Sequence, residues 1–168
     1  MKLYHGSTEI VKEPNLLILN YKTDFGKGFY TTTNMKQAEK WSKIKKERLK
    51  KTANTLNIKQ YINIYEYTEE KNLKILNFEK ATEEWLRFIY HNRKSNKLTH
   101  QYDIVKGPVA NDNLYQTLVN YENGIYNLKE TIERLKTYKL SNQISFHTKE
   151  SLKCIKYIKT IEIGDNNE

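Results

Sequence analysis

Gly26 and Gly28 bracket Lys27 in the run Phe25-Gly26-Lys27-Gly28-Phe29-Tyr30, and Thr31, Thr32 and Thr33 follow directly. Glycine admits backbone conformations closed to other residues, so this run predicts a pliable turn leading into a strand from Phe29 to Thr33. Asn34 stands where a side-chain oxygen can cap a helix, and beyond it Met35, Ala38, Trp41 and Ile44 recur at every third position. Turn, strand, cap and helix in immediate succession restrict the chain to mixed α and β structure.

The helix is expected to end near Asn54, with one apolar stripe and lysines on its other faces. From Lys36 to Lys51 eight Lys or Arg stand against two Glu, so this segment carries +6 of a formal net charge of +9. A basic face of this kind suits water, nucleic acid or an acidic protein partner. Trp41 alone makes no stacking platform of interleaved aromatics among the lysines, which inclines the reading toward protein over nucleic acid.

Further strands are expected at the N-terminus from Lys2 to His5, from Gln60 to Thr68, from Leu73 to Phe78 and from Tyr102 to Val105, the last broken by Gly107-Pro108. Gln143 to His147 and the alternating run from Cys154 to Ile163 complete the set, the latter sharing a sheet with the first strand. Helices are expected from Ala81 to Asn92, with Glu83 and Glu84 at its positive end, through Tyr115, Leu118 and Tyr121 after an Asn111-Asp112 cap, and from Asn127 to Tyr138. Strands and helices do not alternate strictly, so the fold class is α+β. The 168 residues fit a single domain, with thirteen tyrosines and five phenylalanines supplying core area.

One cysteine, Cys154, excludes a disulfide framework and gives no sign of an oxidising compartment. No apolar run approaches the roughly 18 residues that span a bilayer, so a cytoplasmic protein without a membrane partner is expected. His5, His91, His100 and His147 are scattered, so no metal is expected. Gly26-x-Gly28 lacks the third glycine of a dinucleotide fingerprint, and there is no Walker loop.

Taken together, Leu3-Tyr4-His5-Gly6-Ser7, Phe25 to Tyr30, and Trp41 further along resemble diphtheria-toxin-like ADP-ribosyltransferases and poly(ADP-ribose) polymerases. These motifs cover about a quarter of the chain. A closer resemblance, over nearly its full length, is to a small bacterial family of the same superfamily, formerly a domain of unknown function and found in toxin–antitoxin settings. It rests on the run from Tyr102 to Asp112 and on Asn142 to His147.

The resemblance implies split β-sheets with NAD, a substrate, held between them, and a mono-ADP-ribosyltransferase acting on a macromolecular acceptor, protein or nucleic acid. His5 would bond the 2'-hydroxyl of the adenosine ribose, and the Gly6 backbone the nicotinamide carboxamide. Tyr30 and Trp41 would sandwich the nicotinamide ring, an arrangement that suits a flat cationic ring. Ser7, Phe25 and Gly28 would complete the cleft wall, and a small antitoxin protein would be the neutralising partner. Arg93 and Lys27 are candidates for pyrophosphate, although solvent exposure is the simpler expectation for both.

Where the superfamily usually carries a glutamate on a late strand, this chain has Gln143. Glutamine can orient a ribose hydroxyl but supplies no negative charge, a difference of at most about 4 kcal/mol at 4 Å and an effective dielectric near 20. The alternatives are a slow transferase, another carboxylate such as Asp112 or Glu150 in the role, or an NAD-binding module without turnover. A further alternative is a metal-free ribonuclease using His5 and His147 as acid and base. If charge is the missing ingredient, Gln143→Glu is expected to raise NAD cleavage.

Overall fold

A computed structural model describes residues 1–16, 23–52, 57–95, 100–109, 112–136 and 142–164. Its strands form two sheets. The first is antiparallel, with β3 (Gln60–Tyr67) between β1 (Lys2–Ser7) and β7 (Ile155–Ile163). The second runs β2 (Phe29–Thr31), β6 (Asn142–Phe146), β5 (Ile104–Pro108) and β4 (Ile75–Asn77), with only the β4–β5 pair parallel. The sheets meet at one isolated bridge, where the Tyr4 and Thr32 amides donate to each other's carbonyls at 2.8 and 3.0 Å. The fold class is α+β.

The helices are α1 (Met35–Thr52), α2 (Glu83–Lys94), α3 (Asp112–Glu122), α4 (Leu128–Lys136) and the short α5 (Lys149–Leu152). Asn34 caps α1 as expected, its Oδ1 accepting from the Lys36 and Gln37 amides at 3.0 and 3.4 Å. Thr82 caps α2, whose first turn carries Glu83 and Glu84. The Asn111-Asp112 cap lies outside the described residues. Three apolar cores result. Leu3, Phe29, Tyr65 and Phe146 pack in the first, Ile62 and Ile64 meet Ala38 of α1 in another, and Trp85, Leu86 and Ile89 of α2 anchor the third with Phe25 and Val105.

Two expectations fail for packing reasons. The buried residues of α1 are Ala38, Ser42 and Lys46, whereas Met35 is exposed. The cause is Gly6 on β1: a Cβ there would stand 1.8 Å from the Ala38 carbonyl oxygen, so helix and strand backbones touch and the helix meets the strand at its small residues Ala38 and Ser42. Gly107-Pro108 does not break β5 but belongs to it. Pro108 pairs with Asn142, and β4 stops opposite Lys106, so the missing proline N–H faces no third strand. A Cβ at Gly107 would stand 3.0 and 3.2 Å from Phe25 and Phe78, a tight contact to which these side chains would have to yield. Helix α5, capped by Thr148, was not apparent in the sequence.

A candidate cleft between the two sheets

A cavity of about 930 Å³ is lined by β1 (His5, Gly6, Ser7), by Asp24, Gly28 and Tyr30 around the glycine turn, by Trp41 and Lys45 of α1, by Arg93 of α2 and by Gln143 of β6. Segments far apart in sequence therefore converge on one space. Of the residues expected to form a site, His5, Gly6, Ser7, Gly28, Tyr30, Trp41 and Gln143 line it.

His5 is half-buried, and its Nδ1 lies 2.6 Å from the Tyr30 carbonyl oxygen. A carbonyl can only accept, so Nδ1 carries the proton and Nε2 presents a lone pair. Lys45 Nζ donates to that lone pair across 3.2 Å. Burial, and then the Lys45 charge, lower the imidazole to about 3, so it is neutral at physiological pH. Burial also lowers Lys45 to about 8, with Glu9 opposing the shift and Arg48 adding to it. The ring stacks on Phe29 with centroids 4.4 Å apart.

The glycine turn is built around Tyr30. Its hydroxyl donates to the Gly26 carbonyl at 2.6 Å and accepts from the Phe25 amide at 3.0 Å, closing the loop on itself. Gly26 has φ 82°, in the left-handed region that favours glycine. A Cβ on Gly28 would meet the Phe146 carbonyl oxygen at 2.6 Å, so β6 and the turn can touch only through glycine. Phe25, expected on the cleft wall, is fully buried against Phe78 and Phe88, and its ring serves the core.

Gln143 is 7% exposed. Its Nε2 donates to Asp24 Oδ2 at 3.0 Å and to the Pro108 carbonyl at 3.2 Å. Asp24 Oδ1 in turn accepts from Arg93 Nε and Nη2 at 3.0 and 2.5 Å. Arg93, expected to face solvent, is thus a largely buried fork on a carboxylate, its side chain 19% exposed. Lys27 is exposed and lies outside the cavity lining.

The carboxylates considered as substitutes for a glutamate are placed differently. Glu150 is exposed, pairs with Lys153 at 2.6 Å and is remote from the cavity lining. The Asp112 side chain lies outside the described residues. Asp103, which was not among them, bonds Thr148 and the Lys74 amide, a structural task. Asp24 is the carboxylate that reaches Gln143, and its one sequence signal is adjacency to the Phe25-Gly26-Lys27-Gly28 turn. Lys45 was equally hidden, being one lysine among many on α1.

His147 is buried away from the cavity, its ring bonded to the Lys27 carbonyl at 2.7 Å and to Ser145 Oγ at 2.8 Å. Burial lowers it to about 4. His5 and His147 therefore do not face one space, as an acid–base pair would. Among the described residues no group of three His, Cys, Asp or Glu could hold a metal ion, and no helix is long and apolar enough to cross a membrane.

The family model described as Protein of unknown function (DUF3990) matches residues 1–157, which includes every cavity-lining residue named above. The chain belongs to this family. No curated protein matches it. For this DUF3990 member the chemistry must be read from the cleft itself. It offers an imidazole of fixed tautomer, two aromatic side chains, a buried amide held by an ion pair, and cations at Lys45 and Arg93. That set is chemically complementary to a ligand with hydroxyls, a flat ring and negative charge.

Proposed function

We propose that this protein is a mono-ADP-ribosyltransferase that uses NAD and has an ADP-ribosyltransferase-like fold. The observation that carries the reading is the convergence of His5, Tyr30, Trp41 and Gln143 on one cavity. His5, Tyr30 and Trp41 stand where the sequence resembles that superfamily, and Gln143 stands where the superfamily usually carries a glutamate. Two sheets joined at Tyr4 and Thr32, with the cavity beside the junction, agree with it.

In this reading His5 Nε2 accepts from a ribose hydroxyl, exchanging its Lys45 donor for the ligand's, and Lys45 is then free to meet phosphate oxygens. Tyr30 and Trp41 hold the nicotinamide, while Gln143 Oε1 accepts from the hydroxyl of the adjoining ribose. The bond between the nicotinamide nitrogen and ribose C1 breaks, its electron pair leaving with nicotinamide. A nucleophile of the macromolecular acceptor bonds to C1 and releases its proton to water. Catalysis rests on positioning and on a partly closed site. The resemblance to families in toxin–antitoxin settings extends the proposal to a toxin-like enzyme neutralised by a small protein.

Nicotinamide release from NAD by the purified protein tests this, with His5→Ala and Tyr30→Ala as controls. Release no greater than that of the controls would sink the enzyme reading. Labelled NAD in a cell lysate identifies the acceptor as protein, DNA or RNA. One observation favours a second reading, an NAD-binding module without turnover: both Gln143 amide bonds are committed within the protein and no carboxylate stands at that position. Saturable NAD binding without nicotinamide release selects it.

A further inference from the structure

We infer that Asp24 is a positioning residue for the proposed reaction, holding the Gln143 amide so that its oxygen faces the bound ribose. This rests on the reading of the cavity as an NAD site. An amide side chain can be turned by half a rotation at little cost, which exchanges its donor end for its acceptor end. Here both neighbours of the nitrogen end, the Asp24 carboxylate and the Pro108 carbonyl, are acceptors. The NH2 group must face them, and Oε1 must face away. Among the described residues no donor meets Oε1, and Gln143 lines the cavity, so the oxygen is left for a ligand.

Arg93 sets Asp24. The fork from Nε and Nη2 closes on Oδ1, which turns Oδ2 toward Gln143. The three side chains form a chain of charge-assisted bonds in a largely buried setting, where each member restricts the next. Residues 24 and 143 are chemically matched: an aspartate at one requires an amide at the other. A glutamate at 143 would set a carboxylate oxygen about 3.0 Å from Asp24 Oδ2 and 3.2 Å from the Pro108 oxygen, both repulsive. Gln143→Glu should therefore not raise turnover while Asp24 is present, contrary to the expectation from charge alone.

The test compares steady-state nicotinamide release by wild type, Asp24→Asn, Gln143→Glu and the double variant, with folding checked by circular dichroism. Asp24→Asn is expected to lower kcat about tenfold with KM changed less than about threefold, since orientation and not ground-state binding is lost. Gln143→Glu is expected to lower kcat similarly, and adding Asp24→Asn to it to recover about tenfold. One substitution would thus harm the glutamine enzyme and help the glutamate enzyme, a reversal that a general loss of structure does not produce. Unchanged kcat in Asp24→Asn, or raised kcat in Gln143→Glu with Asp24 intact, overturns the inference and leaves the functional reading standing. If the wild type neither binds nor cleaves NAD, the functional reading falls and this inference falls with it. Should Asp24→Asn not fold, Gln143→Glu alone decides: lowered turnover supports the match and raised turnover ends it.

Discussion

Lys45 Nζ lies 3.2 Å from His5 Nε2, so a lysine that the sequence places on a solvated helix face is the donor to the histidine lining the cleft. The contact makes His5 an acceptor held neutral and Lys45 a cation held over it.

The His5 environment has a pH signature. Its pKa falls from 6.5 to about 3 on folding, so the unfolded chain binds more protons between those values, and stability drops as pH falls through that window. His147, lowered to about 4, acts in the same direction. Replacing His5 by Gln is expected to flatten the acid limb, removing on the order of 2 kcal/mol of the loss between neutral pH and pH 3 once solvent screening is discounted. Urea titrations of both proteins across that range check it. Parallel curves would show that His5 titrates normally.

Tyr30→Phe keeps the ring but removes the hydroxyl that closes the glycine turn. The Phe25 amide loses its acceptor, so a loss of about 1 to 2 kcal/mol is expected by chemical denaturation. The turn should also exchange its amide protons faster. NAD affinity that survives with the turn loosened would separate the ring's role from the hydroxyl's.

Gly6→Ala should be severe. The new methyl would overlap the Ala38 carbonyl oxygen at 1.8 Å, backbone against backbone, so α1 must lift from β1 or the strand must bend. A loss of at least about 3 kcal/mol, or no folded protein at all, is expected in thermal melts. A variant within about 1 kcal/mol of wild type would contradict the close helix–strand contact.

Arg93→Leu removes the guanidinium fork from Asp24, whose side chain is only 11% exposed. Breaking such a pair leaves the carboxylate without this cation in a poorly solvated site and is expected to cost about 3 kcal/mol. The companion change Asp24→Asn, added to Arg93→Leu, should recover part of that loss. Denaturant midpoints of the four proteins give the coupling directly, and additive losses would mean that the pair contributes nothing.

The local elements were legible because their signals are local. Asn34 has its capping oxygen and helix within a few residues, Glu83 and Glu84 mark the first turn of α2, and the alternation before Ile163 marks a strand wherever it pairs. Glycine roles were legible in kind but not in cause. Gly6 and Gly28 stand where α1 and β6 come too close for a Cβ, and nothing adjacent in sequence records that approach. For the same reason the apolar stripe of α1 misled: Gly6 lets the helix pack by its smallest side chains, so Ala38 and Ser42 are buried while Met35 is not.

By itself, then, the amino-acid order determined the α+β class, the glycine turn and most strands and helices, and through a family resemblance it pointed to His5, Tyr30, Trp41 and Gln143. Tertiary structure alone decided that these share a cavity, that Lys45 covers His5, and that Phe25 turns inward. It also decided which carboxylate meets Gln143. Asp24 and Gln143 are 119 positions apart, and their bond exists because β2 pairs with β6 and draws the preceding turn alongside. Hydrogen bonds act over about 3 Å, so which groups they join is settled by the path of the chain through space.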